Sequence, residues 1–83
     1  MIIEVTKEDI DNGIPCKAKY CPVSLAIKRK LNIKTVFTYL CEIKLGSPFN
    51  DIFLPTVQAS KFIDRFDKGL PVKPFRFRLG YGN

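Results

Sequence analysis

Two apolar stripes of helical period set the narrowest limits on how this chain can fold. Val23, Ala26, Ile27 and Leu31 recur at the spacing of one helix face, and Ala59, Phe62, Ile63 and Phe66 fall at i, i+3, i+4 and i+7. Each stripe describes a helix with one side that has to be covered. The residues between and around them are rich in Val, Ile, Phe, Thr and Tyr, so sheet is the available cover. Eighty-three residues leave room for one domain with one core. A chain this short builds a marginal core, which makes a homo-oligomer the expectation.

Residues 2–5 (Ile-Ile-Glu-Val) read as a short strand. Thr6 is an N-cap, with Lys7-Glu-Asp in the following turn and Asp9 at the capping-box position where Glu or Gln is usual. That helix is brief, because Asn12-Gly13 signals a turn, and its acids read as a solvated, dipole-matched surface. The second helix opens at Pro22, whose missing N–H and fixed φ suit a first helical position, and Asn32 ends it. Residues 33–45 read as one long strand, which Gly46-Ser-Pro48 breaks before a returning strand over 50–54. Pro55-Thr56 opens the last helix, and Lys68-Gly69 closes it with Gly as left-handed cap. Residues 72–79 alternate, with Phe75, Phe77 and Leu79 on one side and Arg76 and Arg78 on the other. Gly80-Tyr-Gly-Asn83 reads as a flexible end. The order predicts an α+β fold: a small antiparallel sheet of about four strands with two helices on one face, the ferredoxin-like layer.

Charge is distributed unevenly. Fourteen Lys and Arg against eight Asp and Glu give a net of +6. Half of the acids (Glu4, Glu8, Asp9, Asp11) fall in the first eleven residues, and none follows until Glu42. Such polarity fits an anionic partner: a nucleotide-like small molecule, nucleic acid or an acidic protein surface. The stretch 17–31 is the most suggestive, a basic loop feeding the Pro22 helix. There Lys17, Lys19 and Ser24, with the free amides of the first helical turn, are expected to hold an anion, and Tyr20 or Tyr39 to stack on a base. The run Lys28-Arg29-Lys30 has a sufficient structural reason in the helix dipole. A second candidate is a basic sheet face carrying Arg76, Arg78, Lys73 and Lys44. Arginines alternating with Phe are also what any amphipathic strand looks like, and the aromatic strand motif of RNA-recognition modules is absent.

The sequence has no histidine, which removes the commonest general base and a common metal ligand. Cys16, Cys21 and Cys41 fall short of paired CxxC spacing, so no metal is expected, and Cys21 is expected to pack under its helix. No phosphate loop, dinucleotide fingerprint or zincin motif occurs, so no enzyme and no cofactor are expected. Neither a basic leader nor a long apolar run opens the chain, so the expected setting is cytoplasmic, with reduced thiols and no membrane.

Thr6-Lys-Glu-Asp-Ile-Asp-Asn-Gly13, followed by Cys21-Pro-Val-Ser-Leu-Ala26, resembles a group of short phage and bacterial proteins that have no assigned activity. In these an E-D-I-D-x-G segment precedes a C-P-V-A-L-A helix start. Phe62-Ile-Asp-Arg-Phe-Asp-Lys-Gly69 and Pro74-Phe-Arg-Phe77 fit the same pattern, so the likeness covers most of the chain; Ser24 stands where the pattern has Ala. The resemblance implies a viral protein of phage origin. Its expected role is anti-defence: binding in the host cytoplasm, by sequestering a nucleotide signal or by acting as an inhibitor of a host defence protein.

Overall fold

A computed structural model of the chain describes residues 1–47 and 49–80. The elements are β1 (Ile2–Val5), α1 (Lys7–Asn12), α2 (Pro22–Leu31), β2 (Val36–Thr38), β3 (Ile43–Leu45), β4 (Ile52–Phe53), α3 (Val57–Asp67) and β5 (Phe75–Arg78). The α+β class holds, with antiparallel pairing throughout. The layout departs from the single four-stranded ferredoxin-like sheet with two helices. Three helices accompany two separate sheets: a ribbon of β1 and β5, and a meander β2-β3-β4.

The departure traces to residues 33–45, which form two strands instead of one. Residues 39–42 turn back on themselves, with the Tyr39 amide donating to the Glu42 carbonyl at 2.8 Å. Composition could not show this, because Tyr39-Leu-Cys-Glu42 holds no Gly, Pro, Asn or Asp to mark a turn. The next break falls where Gly46 signals it: the amides of Phe49 and Asn50 both donate to the Gly46 carbonyl. The expected flexible end lies outside the described residues beyond Gly80.

Helix ends follow sequence chemistry closely. Thr6 and Asp9 form a reciprocal capping box: Thr6 Oγ1 accepts from the Asp9 amide at 3.2 Å, and Asp9 Oδ2 accepts from the Thr6 amide at 2.9 Å. In α3 the hydroxyl of Thr56 accepts from the Ala59 amide. At its far end Gly69 takes φ +74, its amide donates to the Phe66 carbonyl and the Leu70 amide to Arg65, the two bonds of a Schellman motif. Asn32 ends α2 with φ 55; its amide and that of the buried Ile33 both donate to the Lys28 carbonyl. Gly13 answers to space instead. A Cβ there would come within 2.6 Å of the Pro22 ring, so α1 can end directly against the start of α2 only with glycine.

The buried side chains form one cluster between the two sheets and the helices. Ile3, Val5 and Phe77 line the inner face of the ribbon; Val36, Ile43 and Leu45 line that of the meander. Val23, Ala26 and Ile27 from α2 and Ala59, Phe62, Ile63 and Phe66 from α3 fill the space between, with Leu31 and Phe75 packed at its margin. The aromatic rings run as a series: Phe62 stacks on Phe66 at 6.1 Å, meets Phe75 at 4.6 Å, and Phe75 meets Phe77 at 5.7 Å.

One ion pair ties three elements together, and it corrects the solvated reading for Asp9, while Glu4, Glu8 and Asp11 are exposed as expected. Asp9 is buried, and the Arg29 guanidinium from α2 reaches it twice, at 2.6 Å to Oδ1 and 3.1 Å to Oδ2. The same guanidinium donates to the Glu4 carbonyl on β1 at 3.0 Å. Burial pushes the Asp9 carboxyl up, but the hydrogen bonds from Arg29 and Thr6 outweigh it and hold the group below the usual carboxylate range.

Two predictions follow from this packing. Truncating Phe66→Ala should lower stability by about 3–5 kcal/mol, measured by urea unfolding, as a buried aromatic deletion; an unchanged midpoint would mean that α3 turns another face to the core. Asp9→Asn should cost about 1–3 kcal/mol at neutral pH, reduced from a fully buried pair because Arg29 is half exposed. A depressed folded-state value stabilises above the unfolded carboxyl's pKa of about 4 and is lost as pH falls through the folded value. The gap between wild type and variant should therefore close below about pH 4, and a gap constant from neutral pH down to acid would contradict an ionised Asp9.

Candidate functional site

The loop of residues 13–21 is pinned from inside, which decides where its basic residues can act. The Ala18 carbonyl accepts from the Ser24 hydroxyl at 2.6 Å and from the Thr38 amide at 3.1 Å. Ser24 has spent its only proton on Ala18, so the 2.6 Å contact between Ser24 Oγ and Thr38 Oγ1 has Thr38 as donor. Both hydroxyls are buried. They anchor the loop to α2 and β2.

That arrangement takes Ser24 out of the anion site expected at the mouth of α2. Ser24 is fully buried with its hydroxyl committed, and Pro22 and Val23 beside it are buried too, so the first turn offers no open amides. Cys21 sits at the N-cap. Burial pushes its thiol up to about 11, although the amides of Val23 and Ser24 pull the other way. It is an inert core thiol, as its place under the helix suggested. Lys17 lines a small cavity of about 170 Å³ with Cys16, Tyr39 and Asp67, which Lys19 does not line.

What the fold does bring together is a basic and aromatic cluster on the outer side of α2 and β2. The Lys28 ammonium lies 5.1 Å from the centre of the Tyr20 ring, and the Lys19 ammonium 5.3 Å from that of Phe37. Burial lowers the Lys28 pKa, and the positive charge of Lys19 lowers it further. The two ammonium groups thus feel each other, and neither has an ion-pair partner among the described residues. Strand register extends the surface. Phe37 lies opposite Lys44 and Lys44 opposite Ile52, while their neighbours Val36, Thr38, Ile43 and Leu45 turn inward. The row Phe37–Lys44–Ile52 is therefore the outer face of the meander.

Sequence reasoning found Lys19 and Tyr20 but passed over Lys28 and Phe37. Lys28 was accounted for by the helix dipole. Phe37 was hidden inside the supposed long strand, although a large aromatic alternating against Val36 and Thr38 on the outward side was a usable sign. Arg76 and Arg78 do share the exposed face of the ribbon, yet Lys44 lies on the other sheet, so the expected joint basic face divides in two. Arg76 stands 3.5 Å from Glu4, its cross-strand neighbour, beside an open groove of about 530 Å³ that Arg29 and Lys30 also line.

Among the described residues no group of three or more His, Cys, Asp or Glu is placed to hold a metal ion, and no helix is long and apolar enough to cross a membrane. Comparison with protein-family models, with curated proteins and with solved structures finds no match.

Cys16 and Cys41 are exposed whereas Cys21 is not. Titration with a thiol reagent at neutral pH should show two fast equivalents, with the third appearing only as the protein unfolds. Three fast equivalents would place Cys21 outside the core.

Proposed function

We propose that this chain is a non-enzymatic binding protein for a phosphate-bearing ligand of nucleotide type, held at Lys19 and Lys28 with Tyr20 and Phe37 offering flat surfaces to a base. The observation that carries the reading is the pair of unneutralised ammonium groups set over aromatic rings. Folding gains little from placing two like charges within reach of each other, whereas an anion between them relieves their repulsion and opposes the lowering of the Lys28 pKa by burial and Lys19. Aromatic faces beside cations suit a ligand with a charged end and a planar body. The likeness to phage proteins supplies the setting: sequestration of a nucleotide signal in the host cytoplasm, as an anti-defence activity.

A second reading places an acidic host protein or nucleic acid on the ribbon face of Arg76 and Arg78. It ranks lower because Arg76 is matched by Glu4 and Arg29 by Asp9, which leaves less free charge on that side.

Calorimetric titration with pyrophosphate and with cyclic nucleotides, at low and moderate salt, tests the first reading. Lys19→Ala/Lys28→Ala should weaken binding at least tenfold, about 1.4 kcal/mol, and salt should weaken the wild type. Lys17→Ala should leave affinity unchanged, since Lys17 belongs to a different cavity. Equal affinity in wild type and double variant, with folding intact, would move the site to the ribbon face.

A further inference from the structure

Between α3 and the extended segment that leads into β5 runs an open groove of about 440 Å³. Its floor is aromatic: Phe62 and Phe75 lie with ring centres 4.6 Å apart, and Val72 continues the apolar surface. Its rim carries Lys61, Arg65 and Lys73, and no acidic residue lines it. The Arg65 guanidinium is fixed in place by the Pro71 carbonyl, at 3.1 Å from Nε and 2.9 Å from NH2, a contact that orients the charge without neutralising it. Some surface cations are answered: Lys7 by Asp11, Lys68 by Asp64, Arg76 by Glu4. The three at this rim enter no ion pair among the described residues. One side of the groove is the segment 71–74. Prolines at 71 and 74 hold it extended, it pairs with no strand, and the amides and carbonyls of Val72 and Lys73 make no hydrogen bond among the described residues.

We propose that this groove receives an extended acidic peptide segment of a partner protein, with one apolar side chain lying on Phe62 and Phe75 and flanking carboxylates meeting Lys61, Arg65 and Lys73. Charge complementarity selects an acidic occupant, because three cations face the groove and no carboxylate does. The unpaired segment selects a peptide. Its free donors and acceptors are matched by another extended main chain, which offers both at strand spacing, while a polyphosphate offers acceptors alone. Alternation along such a peptide presents side chains in turn to the floor and to the rim. The groove is distinct from the Lys19–Lys28 cluster and stands or falls separately from it.

The probe is a fluorescein-labelled peptide of about ten residues in which Glu alternates with Phe and Val, followed by anisotropy at low and moderate salt. Two companions carry Gln for Glu, or Ser for Phe and Val. The protein variant is Lys61→Glu/Lys73→Glu; both side chains are exposed, and its melting curve is recorded alongside. The acidic apolar peptide should bind the wild type, each companion at least tenfold more weakly. The double variant should lose at least tenfold with an unchanged melt, and amide NMR signals of Val72 and Lys73 should shift on binding. Equal binding of the Ser companion would reduce the effect to bulk charge and overturn the proposal, as would unchanged affinity in the double variant. A thymidine oligonucleotide that displaces the peptide from the wild type and binds more tightly would assign the groove to nucleic acid instead.

Discussion

The Asp9–Arg29 pair is the contact on which the order of the N-terminal half depends. A carboxylate placed at the third position of a single-turn helix caps that helix; the same carboxylate, buried, then requires a cation. Arg29 supplies it from α2 and uses a further N–H to grip the β1 backbone at Glu4. One side chain thereby sets the distance between strand, cap and helix. Isolated helices as short as α1 do not persist in water, so its six residues hold their form through this anchor and through the fit of Gly13 against Pro22.

The same pairings explain what the uneven charge becomes in three dimensions. Of the four early acids, Glu4 faces Arg76, Asp9 holds Arg29 and Asp11 meets Lys7. Three of the four acids gathered at the start of the chain are spent on cations of the ribbon, α1 and α2. The long acid-free stretch is left with nothing to answer Lys19 and Lys28, and an unneutralised face is the outcome. Net charge alone describes solubility; the spending of the acids decides where positive potential survives.

Much of this was legible in the residues and some was not, for identifiable reasons. Caps and periodicity are local chemistry, so Thr6, Thr56, Asn32, Gly69 and both helix stripes could be read directly. The aromatic core followed likewise, Phe62 and Phe66 from helical spacing and Phe77 from strand alternation. The turn at 39–42 was hidden because its residues are ordinary strand formers, and missing it merged β2 with β3 and suggested one sheet. Ser24 misled for a different reason. A hydroxyl near a helix start looks like a ligand group until a partner such as Thr38, fourteen positions away, is known to claim it. Burial and long-range pairing, which residue spacing does not encode, decided both points.

The ribbon joins residues from opposite ends of the chain: the amino group of Met1 donates to the Leu79 carbonyl, 78 positions away. Ile3 and Val5 are fully buried, and Phe77 and Leu79 nearly so, which means that neither end of the chain completes the core without the other. Closing a loop of this size costs about 4 kcal/mol in chain entropy, to be met by contacts that form only when it closes. During synthesis, then, α1, α2 and the meander leave the ribosome with the floor of their core missing, and β1 waits unpaired until residues 75–79 arrive. A core wired in this way closes only once β5 is present to pair with β1. The chain's most aggregation-prone moment is the interval in which Ile2–Val5 is already made and its partner strand is not.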